Sequence, residues 1–142
     1  MSTEANKAIV RRYLEAVWNE RNLALIDEVV APELIQHIPG VIPGRAGVKQ
    51  FFSMIGAAFA DARMTIEDMI AEGDRVAWRF TIHAIHTGSF QGIPATGKAV
   101  TITGMNIARM VDGQIVENWG QQDNLGLLQQ LGVIPAPKQG GA

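Results

Sequence analysis

The stretch that decides the fold is Lys98–Gln122, KAVTITGMNIARMVDGQIVENWGQQ. Its first half alternates, with β-branched residues at its start. Val100, Ile102, Gly104, Asn106, Ala108 and Met110 fall on one side of an extended chain, and Ala99, Thr101, Thr103, Met105 and Ile107 on the other. Asp112-Gly113 then interrupts the run. That dipeptide between two alternating segments is a strong hairpin signal, because a two-residue turn needs left-handed backbone at both positions. Ile115–Gln122 is the returning strand. Asn124–Leu131 follows as a short amphipathic helix that Gly132 stops.

Toward the N-terminus the same period of two continues. Arg63–Glu72 and Arg75–Thr87 read as two more strands joined at Gly73-Asp74, and Gly88–Gly97 with its Gly92-Ile93-Pro94 is a connection. Before Ala62 the period is helical. Residues 3–20 form an amphipathic helix with Ala8, Ile9, Tyr13, Leu14, Ala16 and Val17 on one side, preceded by the capping types Ser2 and Thr3. Leu23–Val30 reads as a second, short helix closed by Pro32, and Glu33–Ile38 as a short extended piece. Pro39, Gly40, Pro43 and Gly44 make a rigid loop. A third helix runs from Arg45 to about Ala60. Helices first and antiparallel strands last imply an α+β fold, a curved sheet wrapped over three N-terminal helices with a cavity between the layers. One domain is expected over 1–134, with 135–142 a frayed tail.

Composition narrows the function. The chain has 142 residues, 47% of them hydrophobic, and a formal net charge of −2. No basic surface for nucleic acid and no run of like charge is present. Cysteine is absent, which removes thiol catalysis, Cys-ligated zinc and disulfides and fits a reducing cytoplasm. No segment approaches the roughly 20 apolar residues of a membrane span, and the charged N-terminus is unlike a signal peptide. The three histidines lack a metal-ligand spacing such as HExxH, so no metal is expected. Gly-Ile-Pro-Ala-Thr-Gly-Lys fails the phosphate-loop pattern, because Ala99 follows Lys98 and no helix follows; Lys98 reads as solvated. No GxSxG elbow is present.

Among residues that can carry chemistry, Asp123 comes first. By alternation Ile115, Glu117, Trp119, Gln121 and Asp123 share a face, so Trp119 would wall the region of Asp123. A carboxylate beside an indole loses hydration, a condition that favours a general base near neutral pH. The competing reading is that Asp123 caps the helix that begins at Asn124. Glu117 either couples with Asp123 or pairs with a cation such as Arg109, and the ion pair is the favoured reading. His83 and His86 lie on opposite strand faces, His86 with the apolar set Val76, Trp78, Phe80 and Ile82. Asn106 sits on an apolar face and needs a partner, either a ligand oxygen or a backbone group. Trp18, Trp78, Trp119, Phe52, Phe59 and Met105 divide between core and pocket wall.

The segment HTGSFQGIPATGKAVTITGMNIARMVDGQIVENW, followed by Asp123 and LLQQLG, resembles the SnoaL-like polyketide cyclases, a family of the nuclear-transport-factor-2-like superfamily. The resemblance runs from about Ala5 to Gly132. It implies a cone-shaped sheet, no metal or cofactor, and closure of a ring by intramolecular aldol condensation of an apolar carbonyl substrate. It also implies an acid/base aspartate at Asp123. A histidine that assists in one well-known member corresponds here to Asn106, an amide that donates a hydrogen bond but exchanges no proton near neutral pH. The resemblance further places the short first strand with His37 along the pocket and brings the Tyr13 hydroxyl toward it. The expected site is therefore Asp123, Asn106 and His37 for chemistry, with Trp119, Tyr13, Phe52, Trp78 and His86 around the substrate. An isomerase or dehydratase of the same fold, or a non-catalytic binder of small ligands, is the alternative. Homodimers or higher homo-oligomers through the outer sheet face are expected.

Overall fold

The computed structural model describes residues 1–135. Most of the expected tail, 136–142, lies outside the described residues. Helix α1 spans Thr3–Asn19, and the Ser2 hydroxyl caps it by accepting from the Ala5 amide at 3.0 Å. A one-turn helix α2 (Leu25–Val29) leads directly into strand β1 (Val30–His37). Helix α3 (Gly44–Ala58) precedes strands β2 (Phe59–Glu72), β3 (Arg75–His86), β4 (Ala99–Val111) and β5 (Gln114–Gln122), and helix α4 (Asn124–Gln130) follows.

The strands form one curved sheet in the order β1-β5-β4-β3-β2. All neighbours are antiparallel except β1 and β5, which pair in parallel. The sequence had suggested a shorter first strand. The helix expected over Leu23–Val30 ends at Val29, and Pro32 sits within β1 rather than after a helix. An edge strand tolerates it, since only one side of β1 must donate to a neighbour. Likewise β2 starts at Phe59, four residues before its expected start, because a bulge between Ala60 and Arg63 hides the alternation there. Asp61 takes left-handed backbone at that bulge (φ 52°).

Helices α1 and α3 lie across the concave side of the sheet. Val10, Tyr13, Leu14, Val17 and Trp18 of α1 pack onto the inward row Val76, Trp78, Phe80, Ile82 and Ala84 of β3 and onto Met64 of β2. Burying each large apolar side chain contributes about 1.5–3 kcal/mol. The Asn19 side-chain amide fastens the end of α1 to the edge of β2. Its Nδ2 donates to the Met64 carbonyl at 3.0 Å, and its Oδ1 accepts from the Met64 amide at 2.8 Å. That pairing also blunts an otherwise open sheet edge.

The hairpin turn forms at Asp112-Gly113, with φ of 48° and 80°. Immediately after it β5 departs from simple alternation. Register runs Met110 to Ile115 and then Arg109 to Glu117, so Val116 is an extra residue in the ladder. This bulge exchanges the two faces of the strand. From that point Asn118 and Gly120 face inward, opposite Ala108 and Asn106, while Glu117 and Trp119 face outward, opposite Arg109 and Ile107. The expectation that Ile115, Glu117, Trp119 and Asp123 share one face is thereby corrected.

Candidate functional site

The concave face holds a partly open, mostly apolar cavity in two adjoining lobes. The inner lobe, about 110 Å³, is lined by Tyr13, Gln36, Trp78, Asn106 and Asn118 among others. The outer lobe, about 320 Å³, is lined by Met54, Ile55, Phe59, Phe90 and Leu127. Trp18, Ile38, Val41, Phe51, Ile82 and Gln122 line both. Sheet register explains the space. Trp78, Asn106 and Gly120 form one row across β3, β4 and β5, and Phe80, Gly104 and Gln122 the next. A Cβ on Gly104 would lie 2.5 Å from Phe80 Cζ, and one on Gly120 would lie 2.8 Å from Asn106 Oδ1 and from Ile38 Cγ1. The two glycines thus make room for the Phe80 ring and the Asn106 amide.

The polar groups of the cavity are neutral at ordinary pH. Neither lobe is lined by Asp, Glu, Lys, Arg or His among the described residues. Tyr13 is the one titratable lining group, and burial raises the pKa of its phenol further above the usual range. Asn118 Nδ2 donates to Gln36 Oε1 at 3.3 Å. Asn118 Oδ1 and Trp78 Nε1 are sealed from solvent and have no protein partner. Such orphans are rare in native interiors and call for an explanation.

Tyr13, Phe52, Trp78 and Asn106 are found in the inner lobe wall. Trp119 is not, since the β5 bulge turns it to the outer face, where its ring stacks on His37 (5.2 Å between centroids, 13° between planes) with the Arg75 guanidinium 4.9 Å above it. His37 is likewise on the outside. Its Nε2 lies 2.8 Å from Glu117 Oε2, and Gln36 and Ile38, its neighbours in sequence, are the residues that face the cavity. Glu117 also accepts from Arg109 Nε at 3.0 Å. These contacts, the His37 hydrogen bond foremost and Arg109 after it, hold the Glu117 carboxyl below the usual range. His83 faces out, its Nδ1 3.3 Å from Thr101 Oγ1. His86 faces in and is fully buried, but it does not line the cavity. Phe59 packs against its ring (5.4 Å) and is itself part of the outer-lobe wall. Nδ1 of His86 accepts from the Thr96 amide at 3.3 Å, and its Nε2 is a third buried orphan.

Asp123 is exposed at the end of β5. Its Oδ1 accepts from the Gly126 amide at 2.8 Å, making it the N-cap of α4. It lies on the rim, between Gln122 and Asn124, both of which line the outer lobe. Among the described residues no group of three or more His, Asp or Glu gathers to hold a metal ion, and no helix is long and apolar enough to cross a membrane.

Sequence reasoning missed Gln36, Asn118 and Gly120. A signal existed for β5, where the adjacent pair Ile115-Val116 breaks the alternation and marks the slip. For β1 the parity of Leu34, Gln36 and Ile38 was available, but Ile35 on the opposite face is equally apolar.

A concave α+β cone with helices over its open side and a partly open, mostly apolar cavity has the general form of sites that take small molecules. Residues 8–131 match the family of SnoaL-like polyketide cyclases, and the chain belongs to that family. It is similar to aklanonic acid methyl ester cyclase DnrD of Streptomyces peucetius, with 26% identity over 137 residues covering 93% of this chain and 92% of that one. Among solved structures it is similar to IdmH of Streptomyces antibioticus, a proposed polyketide cyclase (33% identity, TM-score 0.78, covering 90% of this chain and 99% of that one). It is also similar to AclR of Streptomyces galilaeus, a proposed hydroxylase (30% identity, TM-score 0.87, covering 97% and 87%).

Proposed function

We propose that this protein closes a ring in a neutral, apolar, carbonyl-bearing substrate by cofactor-free acid/base chemistry of the aldol type. The Asp123 carboxylate takes a proton from a carbon next to a carbonyl. The enolate carbon then bonds to a second carbonyl carbon of the same molecule, and the new alkoxide recovers the proton from Asp123. No atoms are gained or lost. The Asn106 amide donates to the enolate oxygen in a site that excludes water, where such a bond is worth more than in solution. Asp123 can act without leaving its post, because a carboxylate has several acceptor positions and the cap uses one. Releasing the cap altogether would cost about 0.5–2 kcal/mol, within reach of substrate binding energy.

The observation that carries this reading is the mostly apolar cavity whose polar lining among the described residues is neutral, in a chain of the cyclase family. The test is turnover of a linear or partly cyclised polyketide ester, followed by mass spectrometry. An isomeric product supports cyclisation. Loss of water points to a dehydratase, and gain of oxygen to a hydroxylase. Asp123→Asn preserves a capping side chain and removes the base, so it is expected to fold normally and to lose turnover. Full activity in that variant rules the acid/base role out.

A second reading is a non-catalytic carrier of the same ligands. The specific observation in its favour is that the Asp123 carboxylate is occupied as an N-cap and no ionised group among the described residues lines the cavity. Saturable binding with no conversion would select it.

We further propose a homo-oligomer that covers the outer sheet face, where Met105 (62% exposed) and Ile107 stand free, and a cytoplasmic location in keeping with the absence of cysteine. Sedimentation of wild type and Met105→Glu tests the oligomer.

A further inference from the structure

Two buried hydrogen-bonding atoms on residues that line the inner lobe lack a protein partner, and they are of opposite type. Trp78 Nε1 is a donor only, on a side chain 4% exposed. Asn118 Oδ1 is an acceptor whose sister nitrogen is already engaged by Gln36. Both residues line the same lobe, Trp78 from β3 and Asn118 from β5, two strands apart on the concave side of the sheet. Trp78 lies in the row of Gly120 and Asn118 in the next inward row, with Val76, so two strand spacings of roughly 4.8 Å and two residues of rise of roughly 3.4 Å each put their backbones about 12 Å apart.

We infer that Trp78 and Asn118 are the specificity-determining pair of the cavity and read a ligand that presents an acceptor and a donor together: a carbonyl oxygen to the indole N–H and a hydroxyl or enol O–H to the Asn118 oxygen. This rests on reading the cavity as the site for a neutral carbonyl compound, and it adds what that reading lacks, a hydrogen-bond code. A ligand with the carbonyl alone leaves the Asn118 oxygen unpaired, and an ether in place of the hydroxyl sets two acceptors against each other. A site built to hydrogen-bond a hydroxyl rejects an analogue lacking it strongly, because its own buried group is then stranded. The outer lobe, with Phe59, Phe90 and Leu127, takes the apolar remainder of the ligand.

The test is calorimetric or fluorescence titration of the full chain with four probes. They are a hydroxytetralone whose hydroxyl is too far from the carbonyl for an internal hydrogen bond, its methyl ether, the parent tetralone, and the corresponding tetrahydronaphthol without a carbonyl. Wild type is expected to bind the hydroxytetralone about tenfold or more tighter than each of the others. Trp78→Phe keeps a ring and removes the N–H. It is expected to lose about tenfold for the three carbonyl probes and nothing for the tetrahydronaphthol. Asn118→Leu should abolish the preference for hydroxyl over ether. Without ligand, Trp78→Phe should melt no lower than wild type, since a stranded donor has been removed.

The inference is overturned if Trp78→Phe and Asn118→Leu keep the wild-type order of probes. It is also overturned if Trp78→Phe weakens all four probes equally while lowering the melting temperature, which would mark the indole as structural, or if wild type binds none of them saturably. Binding needs no turnover. A protein that shows this code and converts nothing keeps the inference and loses the enzymatic reading; one that turns over a substrate yet shows no code does the reverse.

Discussion

The two faces of this sheet are made from the same strands and solve opposite problems. On the outer face Glu117 is held by His37 at 2.8 Å and by Arg109 at 3.0 Å, Arg79 pairs with Asp68 at 2.8 Å, and Trp119 lies between an imidazole and a guanidinium. Its charged groups are met by partners and water. On the inner face, one residue away along the same strands (Trp78 beside Arg79, Asn118 beside Glu117), the polar groups are uncharged, and Trp78 Nε1 and Asn118 Oδ1 lack a partner. Four buried side-chain atoms lack a partner among the described residues: Asn6 Oδ1 and His86 Nε2 on residues away from the cavity wall, and Trp78 Nε1 and Asn118 Oδ1 on residues of it. Only the second pair belongs to residues that a ligand in the cavity would meet.

The largest expected effect tests the boundary between the faces. Asp123 closes β5 at the rim and belongs to neither face. Removing a positioned general base lowers rates by about 10²–10⁴-fold, so Asp123→Asn should lose at least about a hundredfold in turnover without losing its cap. Asp123→Ala should lose the same activity and also about 0.5–2 kcal/mol of stability. Equal stability of the two variants would break the view of Asp123 as a cap.

The next prediction compares the tryptophans directly. Trp78 is 4% exposed and walls the cavity, so Trp78→Ala is expected to cost about 3–5 kcal/mol in denaturant unfolding. Trp119 rests on the outer face with a stacked His37 and one cation above it. Trp119→Ala should cost about 1 kcal/mol, the scale of an exposed cation–π contact. If the two cost the same, the outer face is not free in solution but covered, and the proposed oligomer gains support.

How much of this was legible in the sequence follows from where alternation is regular. β3 and β4 have no internal bulge, and Trp78, Asn106 and the apolar rows around them were assigned to the inner face from periodicity alone. So were the opposite orientations of His83 and His86. β5 was misread after Val116 because one extra residue reverses every later side chain, and parity counting carries such an error to the strand's end. The same slip put Trp119 inside and hid Asn118. His37 was misplaced for a different reason. Its strand has apolar residues on both faces, Leu34 inward and Ile35 outward, so no pattern selects one. The double role proposed for Asp123 was visible from the start, since an Asp before a helix caps it and the resemblance aligns it with an acid/base aspartate. The orphaned atoms were not visible at all. They depend on how β3, β4 and β5 pair, and a single sequence does not show that register.

The smallest expected effect sharpens the contrast through pH. His37 and Arg109 favour the ionised form of Glu117 and lower its pKa in the folded state. A carboxyl depressed on folding adds stability that is present above its unfolded pKa of about 4.3 and is lost as pH falls through the depressed folded value. Glu117→Gln should therefore melt below wild type at neutral pH, and the gap should close as the solution is acidified below the usual carboxylate range. Added salt should narrow it too, since the cluster is open to solvent. A gap that stays constant down to strongly acidic pH would mean that Glu117 contributes by packing and not by charge. The inner face should behave otherwise. Its one titratable lining group among the described residues, Tyr13, is pushed above the usual phenol range by burial. Ligand affinity measured over the interval in which the Glu117 contribution fades should then stay flat, as long as the fold is intact. Affinity that falls in step with the outer cluster would show that the two faces are coupled through β5, with the bulge at Val116 as the point where strain passes from one to the other.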